Sequence, residues 1–67
     1  MEKFIERLKE LRIEKNLTQE ELSKEIGTSQ SSITYWETGK RIPSALVIIT
    51  LAKYFGVTTD YLLGLED

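Results

Sequence analysis

One segment of the chain is rich in hydrogen-bonding side chains and carries no charge. From Ser29 to Tyr35 the sequence reads Ser-Gln-Ser-Ser-Ile-Thr-Tyr. Glutamine can pair bidentately with adenine, hydroxyl side chains can contact any base, and a threonine methyl can contact that of thymine. A helix without such a task more often carries Glu and Lys, which have higher helix propensity than Ser or Thr. The segment therefore indicates a surface that contacts a polyanion, with a merely solvated polar face as the alternative.

The rest of the sequence offers little on which catalysis could be built. It has no Cys and no His, so the commonest nucleophiles, general bases and zinc ligands are missing. Glutamates recur every four residues among Lys and Arg near the start, which is typical of a solvated helix supported by ion pairs. They are Glu2, Glu6, Glu10 and Glu14. We expect a binding protein without metal or other cofactor, and not an enzyme.

The net charge of −2 argues at first against DNA, because Lys and Arg contacts to phosphates provide most non-specific affinity. The charges are unevenly distributed, however. Residues 1–17 carry five Lys or Arg and four Glu, residues 18–37 one Lys and four Glu, and residues 38–67 three of each sign. The basic pair Lys40-Arg41 has no acidic neighbour and follows the polar segment closely. These two residues are candidate phosphate contacts.

The length of 67 residues leaves room for a single domain, residues 1–67, with one hydrophobic core. No apolar run approaches the roughly 18 residues of a membrane span, and the start Met1-Glu2-Lys3 is unlike a signal peptide. We therefore expect an unprocessed, cytoplasmic protein.

Hydrophobic spacing and capping residues predict five helices and no strand. The predicted helices run from about Glu2 to Lys15, from Thr18 to Gly27, from about Ser29 to Thr38, from the cap Ser44 through Phe55 to Gly56, and from Thr58 or Thr59 across Tyr61, Leu62 and Leu63. Thr18 and Glu21 form the Thr-x-x-Glu capping box that marks a helix start, and Thr28 or Ser29 caps the third helix. The short second and third helices, joined by a turn with Gly27, are typical of a helix-turn-helix, whose second helix enters a major groove.

Three stretches form a combined pattern that is highly specific: Leu17 to Leu22 (LTQEEL), Gly27 to Ile33 (GTSQSSI) and Trp36 to Ser44 (WETGKRIPS). With the continuation from Leu51 to Leu63, the chain resembles the lambda-repressor-like, Cro/repressor (XRE-type) family over nearly its whole length. The resemblance implies an all-α, compact five-helix domain with the helix-turn-helix in helices 2 and 3. It also implies a sequence-specific transcriptional regulator, most simply a repressor, that binds a roughly palindromic operator as a dimer.

The resemblance assigns roles to individual residues. Base reading falls to Gln30, Ser31, Thr34 and Tyr35. Phosphate binding falls to Thr18, Gln19, Ser32, Lys40 and Arg41, with the minor groove as an alternative contact for Arg41. Gln19 would also brace a base-reading side chain. Arg12 and Glu37 would form a partly buried ion pair that orients the third helix.

Two departures from the family pattern affect the packing. Ser23 stands where the family commonly has Ala, and its hydroxyl needs a hydrogen-bond partner. Leu46 and Val47 stand where the family more often has polar residues. Either the fourth helix is slightly rotated, or these two form part of an exposed apolar patch used for dimerisation. Tyr61 is a further candidate dimer contact.

A second function stays open on the sequence alone. The acidic surface of a helix-turn-helix fold can bind a partner protein, such as a toxin or a sensor domain, and the net acidity favours this alternative. The first function implies operator DNA as partner, a homodimer at least on DNA, and a C-terminal or separate regulatory domain. It further implies a bacterial or phage-encoded, nucleoid-associated protein.

Overall fold

Five α-helices follow one another in a computed structural model that describes all 67 residues. They are α1 (Glu2–Glu14), α2 (Gln19–Ile26), α3 (Gln30–Thr38), α4 (Ala45–Phe55) and α5 (Thr59–Leu63). There is no strand. The predicted all-α, five-helix architecture of the lambda-repressor-like fold is confirmed, with α2 and α3 forming the helix-turn-helix.

Every helix contributes at least one apolar side chain to a single core. The nine buried residues are Phe4, Leu8, Leu22, Ile33, Trp36, Ile48, Leu51, Ala52 and Leu62. Removal of this apolar surface from water is the main stabilising contribution in a chain that has no disulfide. The third helix anchors to the core only through Ile33 and Trp36 among its apolar residues, so most of its remaining surface is free for other contacts.

Hydroxyl side chains cap the starts of four helices. Thr18, Ser29, Ser44 and Thr58 each accept a hydrogen bond from the backbone amide three residues later. Thr18 and Glu21 form the complete, reciprocal capping box. The cap of α3 is therefore Ser29 and not Thr28, and that of α5 is Thr58 and not Thr59.

The helix bounds differ from the predicted ones by about one residue. α1 ends at Glu14 and not at Lys15, which is its C-cap with φ −85° and ψ 3°. Thr18 and Ser29 lie just outside their helices because a capping residue keeps an extended backbone. Gly27 ends α2 with φ 75°, a left-handed conformation that glycine adopts without steric cost, and this allows the tight turn into α3.

Ser23 is a small, buried residue of α2, and its hydroxyl finds its hydrogen-bond partner within the same helix. Its side chain is buried, and its Oγ donates to the carbonyl oxygen of Glu20 at 2.6 Å. The hydroxyl is therefore buried without being left unsatisfied.

None of the five helices combines the length and the apolar character needed to cross a membrane.

Candidate nucleic-acid interface

The outer face of α3 carries a shallow groove of about 190 Å³ that is lined by only four residues. These are Gln30, Ser31, Thr34 and Tyr35, the same four side chains that the sequence marks as base readers. Their spacing explains the grouping, because residues four apart in a helix lie on the same face, one above the other. We call this surface the reading groove, after the base-reading role that is predicted for it from the sequence.

The four residues differ in how tightly the protein holds them. Gln30 and Ser31 are exposed, and their side chains make no hydrogen bond to the rest of the chain. Thr34 and Tyr35 are half-buried. The guanidinium of Arg41 lies over the Tyr35 ring, 5.0 Å from its centroid, which is a cation–π distance. Gln30 and Ser31 thus keep all their hydrogen-bonding groups available for a ligand.

The single charged residue of α3 is neutralised inside the protein. Glu37 is buried, and its two carboxylate oxygens accept from Arg12 at 2.7 Å (Nε to Oε2) and 3.0 Å (Nη2 to Oε1). Arg12 also donates to the carbonyl oxygen of Leu17 at 2.8 Å. The hydrogen bonds to Glu37 raise the pKa of Arg12 above its ordinary value, although burial opposes this. α3 therefore presents no net charge in the reading groove.

Consecutive hydrogen bonds between side chains link this ion pair to the reading groove through Gln19. The Nε2 of Gln19 donates to Oε1 of Glu37 at 3.1 Å, and its Oε1 accepts from the Thr34 hydroxyl at 2.7 Å. The first residue of α2 is thereby fixed against the middle of α3. An amide nitrogen carries two hydrogens, so the second N–H of Gln19 is still available for a phosphate.

Two other phosphate candidates have hydroxyls that the fold already uses. Thr18 Oγ1 accepts from the amide of Glu21 at 3.0 Å, and its proton is shared with the Glu21 carboxylate, so Thr18 would have to release that carboxylate in order to donate to a phosphate. Ser32 Oγ lies 3.0 Å from Ser29 Oγ at the start of α3. Thr18 caps the start of α2 and Ser32 lies in the first turn of α3, and at both places the helix dipole favours an anion.

Lys40 and Arg41 are exposed directly after α3. Their backbone amides both donate to the carbonyl oxygen of Tyr35, at 2.9 and 3.3 Å, which holds the pair beside the reading groove. Gly39 makes this turn with φ 79°, and a Cβ at this position would lie 3.1 Å from Cδ1 of Ile5. The backbone conformation therefore favours glycine, and the close approach of Ile5 on α1 leaves little room for a side chain.

Two of the glutamates of α2 are engaged within the protein. The carboxylate of Glu21 accepts from the backbone amide of Thr18 at 2.8 Å, and this bond, with the Thr18 hydroxyl, lowers the pKa of Glu21. Glu25 accepts from the hydroxyl of Tyr54 on α4 at 3.1 Å. Only Glu20 leaves its carboxylate without such a contact on this helix.

The predicted apolar pair of α4 is split in the structure. Leu46 is 76% exposed, whereas Val47 is half-buried and packs against the core. Ile49, one turn after Leu46, is 42% exposed, so it takes the place predicted for Val47 in the exposed apolar face. The spacing of Leu46 and Ile49 in the sequence could have indicated this, because residues three apart share a helix face.

Tyr61, the other predicted dimer contact, is half-buried, and the Arg7 guanidinium lies 4.1 Å from the centroid of its ring.

Residues 8–62 match the model of a helix-turn-helix family. The chain is 42% identical to the HTH-type transcriptional activator BcrR of Enterococcus faecalis over 64 residues, which are 96% of this chain and 31% of BcrR. It is 41% identical over 61 residues to an uncharacterised HTH-type transcriptional regulator of Methanocaldococcus jannaschii, covering 91% of this chain and 92% of that protein.

The cryptic phage CTXphi transcriptional repressor RstR of Vibrio cholerae is 33% identical over 54 residues, 81% of this chain and 49% of RstR. The chain therefore spans 31% of BcrR and 49% of RstR. The family is in general not enzymatic. On the family match and these relatives, the chain belongs to the XRE-type helix-turn-helix family of DNA-binding transcription regulators.

Proposed function

We propose that this protein recognises a specific double-stranded operator with α3 in the major groove and regulates transcription from it. The observation that carries the proposal is the reading groove, where four side chains able to contact base edges converge without a charge. Gln30 would pair bidentately with adenine. Ser31, Thr34 and Tyr35 would contact the neighbouring base pairs.

The groups around the reading groove are proposed to contact the phosphates on either side of the major groove. Thr18 and Gln19 at the start of α2, and Ser32 in the first turn of α3, would donate to phosphate oxygens. Lys40 and Arg41 would provide the cationic contacts after α3. Because Arg41 lies over the ring of Tyr35, a phosphate contact at Arg41 also steadies a base reader.

The operator is proposed to be roughly palindromic and bound by a dimer, with the two copies of α3 about 34 Å apart. The dimer contacts would include Leu46 and Ile49, which form the exposed apolar face of α4. Val47 and Tyr61 are half-buried and would add only the surface that they still expose. A separate or C-terminal regulatory domain would strengthen the pairing of two copies.

The direction of regulation depends on where the operator lies relative to the promoter. Relatives of this chain include a protein named an activator and one named a repressor. Repression is the simpler outcome, since a bound dimer that overlaps a promoter excludes the polymerase without further contacts. Such a regulator would act in the cytoplasm, on the nucleoid of a bacterium or on a phage genome.

Selection from random duplex DNA tests the proposal. The wild type is compared with the variant Gln30→Ala/Tyr35→Ala, and the matched control Lys9→Ala/Glu10→Ala changes exposed residues of α1. We expect the wild type and the control to enrich one palindromic motif, and the α3 variant to lose it while melting at a similar temperature. If the wild type enriches no sequence at low salt, the proposal is wrong, and a protein partner for the acidic surface becomes the better hypothesis.

A further inference from the structure

The chain of hydrogen bonds from Arg12 to Thr34 has a fixed direction. The Glu37 carboxylate in the ion pair with Arg12 is only an acceptor, so the group 3.1 Å from its Oε1 must be the amide nitrogen of Gln19. The amide oxygen of Gln19 then points to Thr34. Since that oxygen is also only an acceptor, the Thr34 hydroxyl must be the donor in the 2.7 Å bond.

This direction determines what Thr34 can offer to a base. A hydroxyl has one proton, and that of Thr34 is donated to Gln19, away from any ligand. The other close neighbour of its oxygen is the carbonyl oxygen of Gln30, at 3.2 Å within the same helix. Thr34 nevertheless lines the reading groove. Its hydroxyl oxygen can then only accept a hydrogen bond, and its methyl group is the apolar group that it can offer to a base.

We infer that Thr34 is a specificity-determining residue that reads the 5-methyl group of a pyrimidine, and that its hydroxyl donates no hydrogen bond to a base. The inference rests on the proposed function and names the chemistry of one position in the operator: thymine, or cytosine methylated at carbon 5. The methyl of thymine projects into the major groove, where small apolar groups contact it. Gln19 acts on this position indirectly, as a positioning residue that holds the Thr34 hydroxyl turned inward.

Deoxyuridine lacks only the methyl group of thymine, and this makes a sharp test. Each thymine of the selected operator is replaced in turn by deoxyuridine, and the Kd is measured by fluorescence anisotropy for the wild type, Thr34→Ser and Thr34→Val. Serine keeps the hydroxyl donor and loses the methyl, whereas valine keeps a methyl and loses the donor. Thermal melting of each variant shows that it is folded.

We expect one position per half-site at which deoxyuridine weakens wild-type binding about fourfold, the factor given by burial of one methyl group. Thr34→Ser should bind the thymine and deoxyuridine operators equally at that position. Thr34→Val should keep the discrimination while binding both operators less tightly, because the Oε1 of Gln19 loses its donor. At the same position, 5-methylcytosine should bind better than cytosine to the wild type but not to Thr34→Ser.

Three results would overturn the inference while leaving the proposed function in place, because the selected motif would stand. The first is that the wild type does not discriminate between thymine and deoxyuridine. The second is that Thr34→Ser still discriminates between them, and the third is that Thr34→Val no longer does. A wild type that selects no motif would overturn the proposed function and the inference together.

Discussion

Arg12 on α1 and Glu37 on α3 form a bidentate ion pair with two nitrogen–oxygen hydrogen bonds, and the Glu37 side chain is only 2% exposed. The pair joins α1 to α3 and removes the only charge of α3 from the reading groove. Through Glu37 it also reaches Gln19. The orientation of α3 therefore depends on a residue of α1 that lies outside the helix-turn-helix.

Replacing one partner of this pair should cost more than replacing both. Arg12→Met leaves a buried, unpaired carboxylate, so we expect the free energy of unfolding to fall by about 3 kcal/mol. The double variant Arg12→Met/Glu37→Leu buries no charge and should recover much of that loss. Urea denaturation of the single and double variants measures the effect. If the double variant loses the sum of the two single losses, the residues act independently and the prediction is wrong.

The capping box predicts a specific loss of stability in acid. Hydrogen bonds from Thr18 hold the pKa of Glu21 below its ordinary value of 4.5. Its contribution is thus fully present above that value and is lost as the pH falls through the lower pKa of the folded protein. Glu21→Gln should lose less stability between neutral and acidic pH than the wild type does.

The control is Glu20→Gln, which removes an exposed neighbouring carboxylate that is not part of the cap. Its stability profile between pH 7 and acid, followed by urea denaturation, should parallel that of the wild type. Identical profiles for Glu21→Gln and Glu20→Gln would contradict a special role for the cap.

Lys40 and Arg41 should determine part of the salt dependence of operator binding. Each phosphate contact contributes a slope of about −0.9 to the plot of log binding constant against log salt concentration. Lys40→Ala and Arg41→Ala should therefore each make the slope shallower by about one unit per protein copy bound. Lys9→Ala removes an exposed cation of α1 and should leave the slope unchanged. A slope that does not respond to Lys40→Ala would remove this residue from the interface.

The exposed face of α4 should control self-association. A lysine at Leu46 or Ile49 would bring like charges together across a two-fold interface, so Leu46→Lys and Ile49→Lys should weaken the dimer on DNA at least tenfold, about 1.4 kcal/mol. Ile13→Lys is the matched control, because Ile13 is 58% exposed on α1. Analytical ultracentrifugation with operator and half-site duplexes separates dimer from monomer binding. Equal effects at Ile13 and Leu46 would place the interface elsewhere.

Most of the fold follows from local signals in the sequence. Hydroxyl caps at Thr18, Ser29, Ser44 and Thr58 mark where four helices begin, and the spacing of apolar residues indicates which face of each is buried. The grouping of the four base-reading candidates is also local, because it depends only on helical periodicity within α3. Helix ends are less sharply determined, which explains the one-residue difference at the end of α1.

The features that escaped prediction depend on how helices pack together. Val47 faces the core because it shares a helix face with Leu51, four residues later, and the packing of Leu51 sets the rotation of α4. Leu46 and Ile49 are then turned outward. The direction of the bond between Thr34 and Gln19 is likewise invisible in the sequence, since Glu37 imposes it through Gln19, between α3 and α2.

The freedom of Gln30 and Ser31 has a consequence for how such a regulator diversifies. Both side chains are exposed and bonded to nothing else in the chain, so the fold has no requirement for their identity. If the two residues read the operator as proposed, mutations at these positions after a gene duplication would redirect one copy to a new operator without loss of stability. The two copies would then control separate genes without cross-talk, while both kept the internal chain from Arg12 to Thr34.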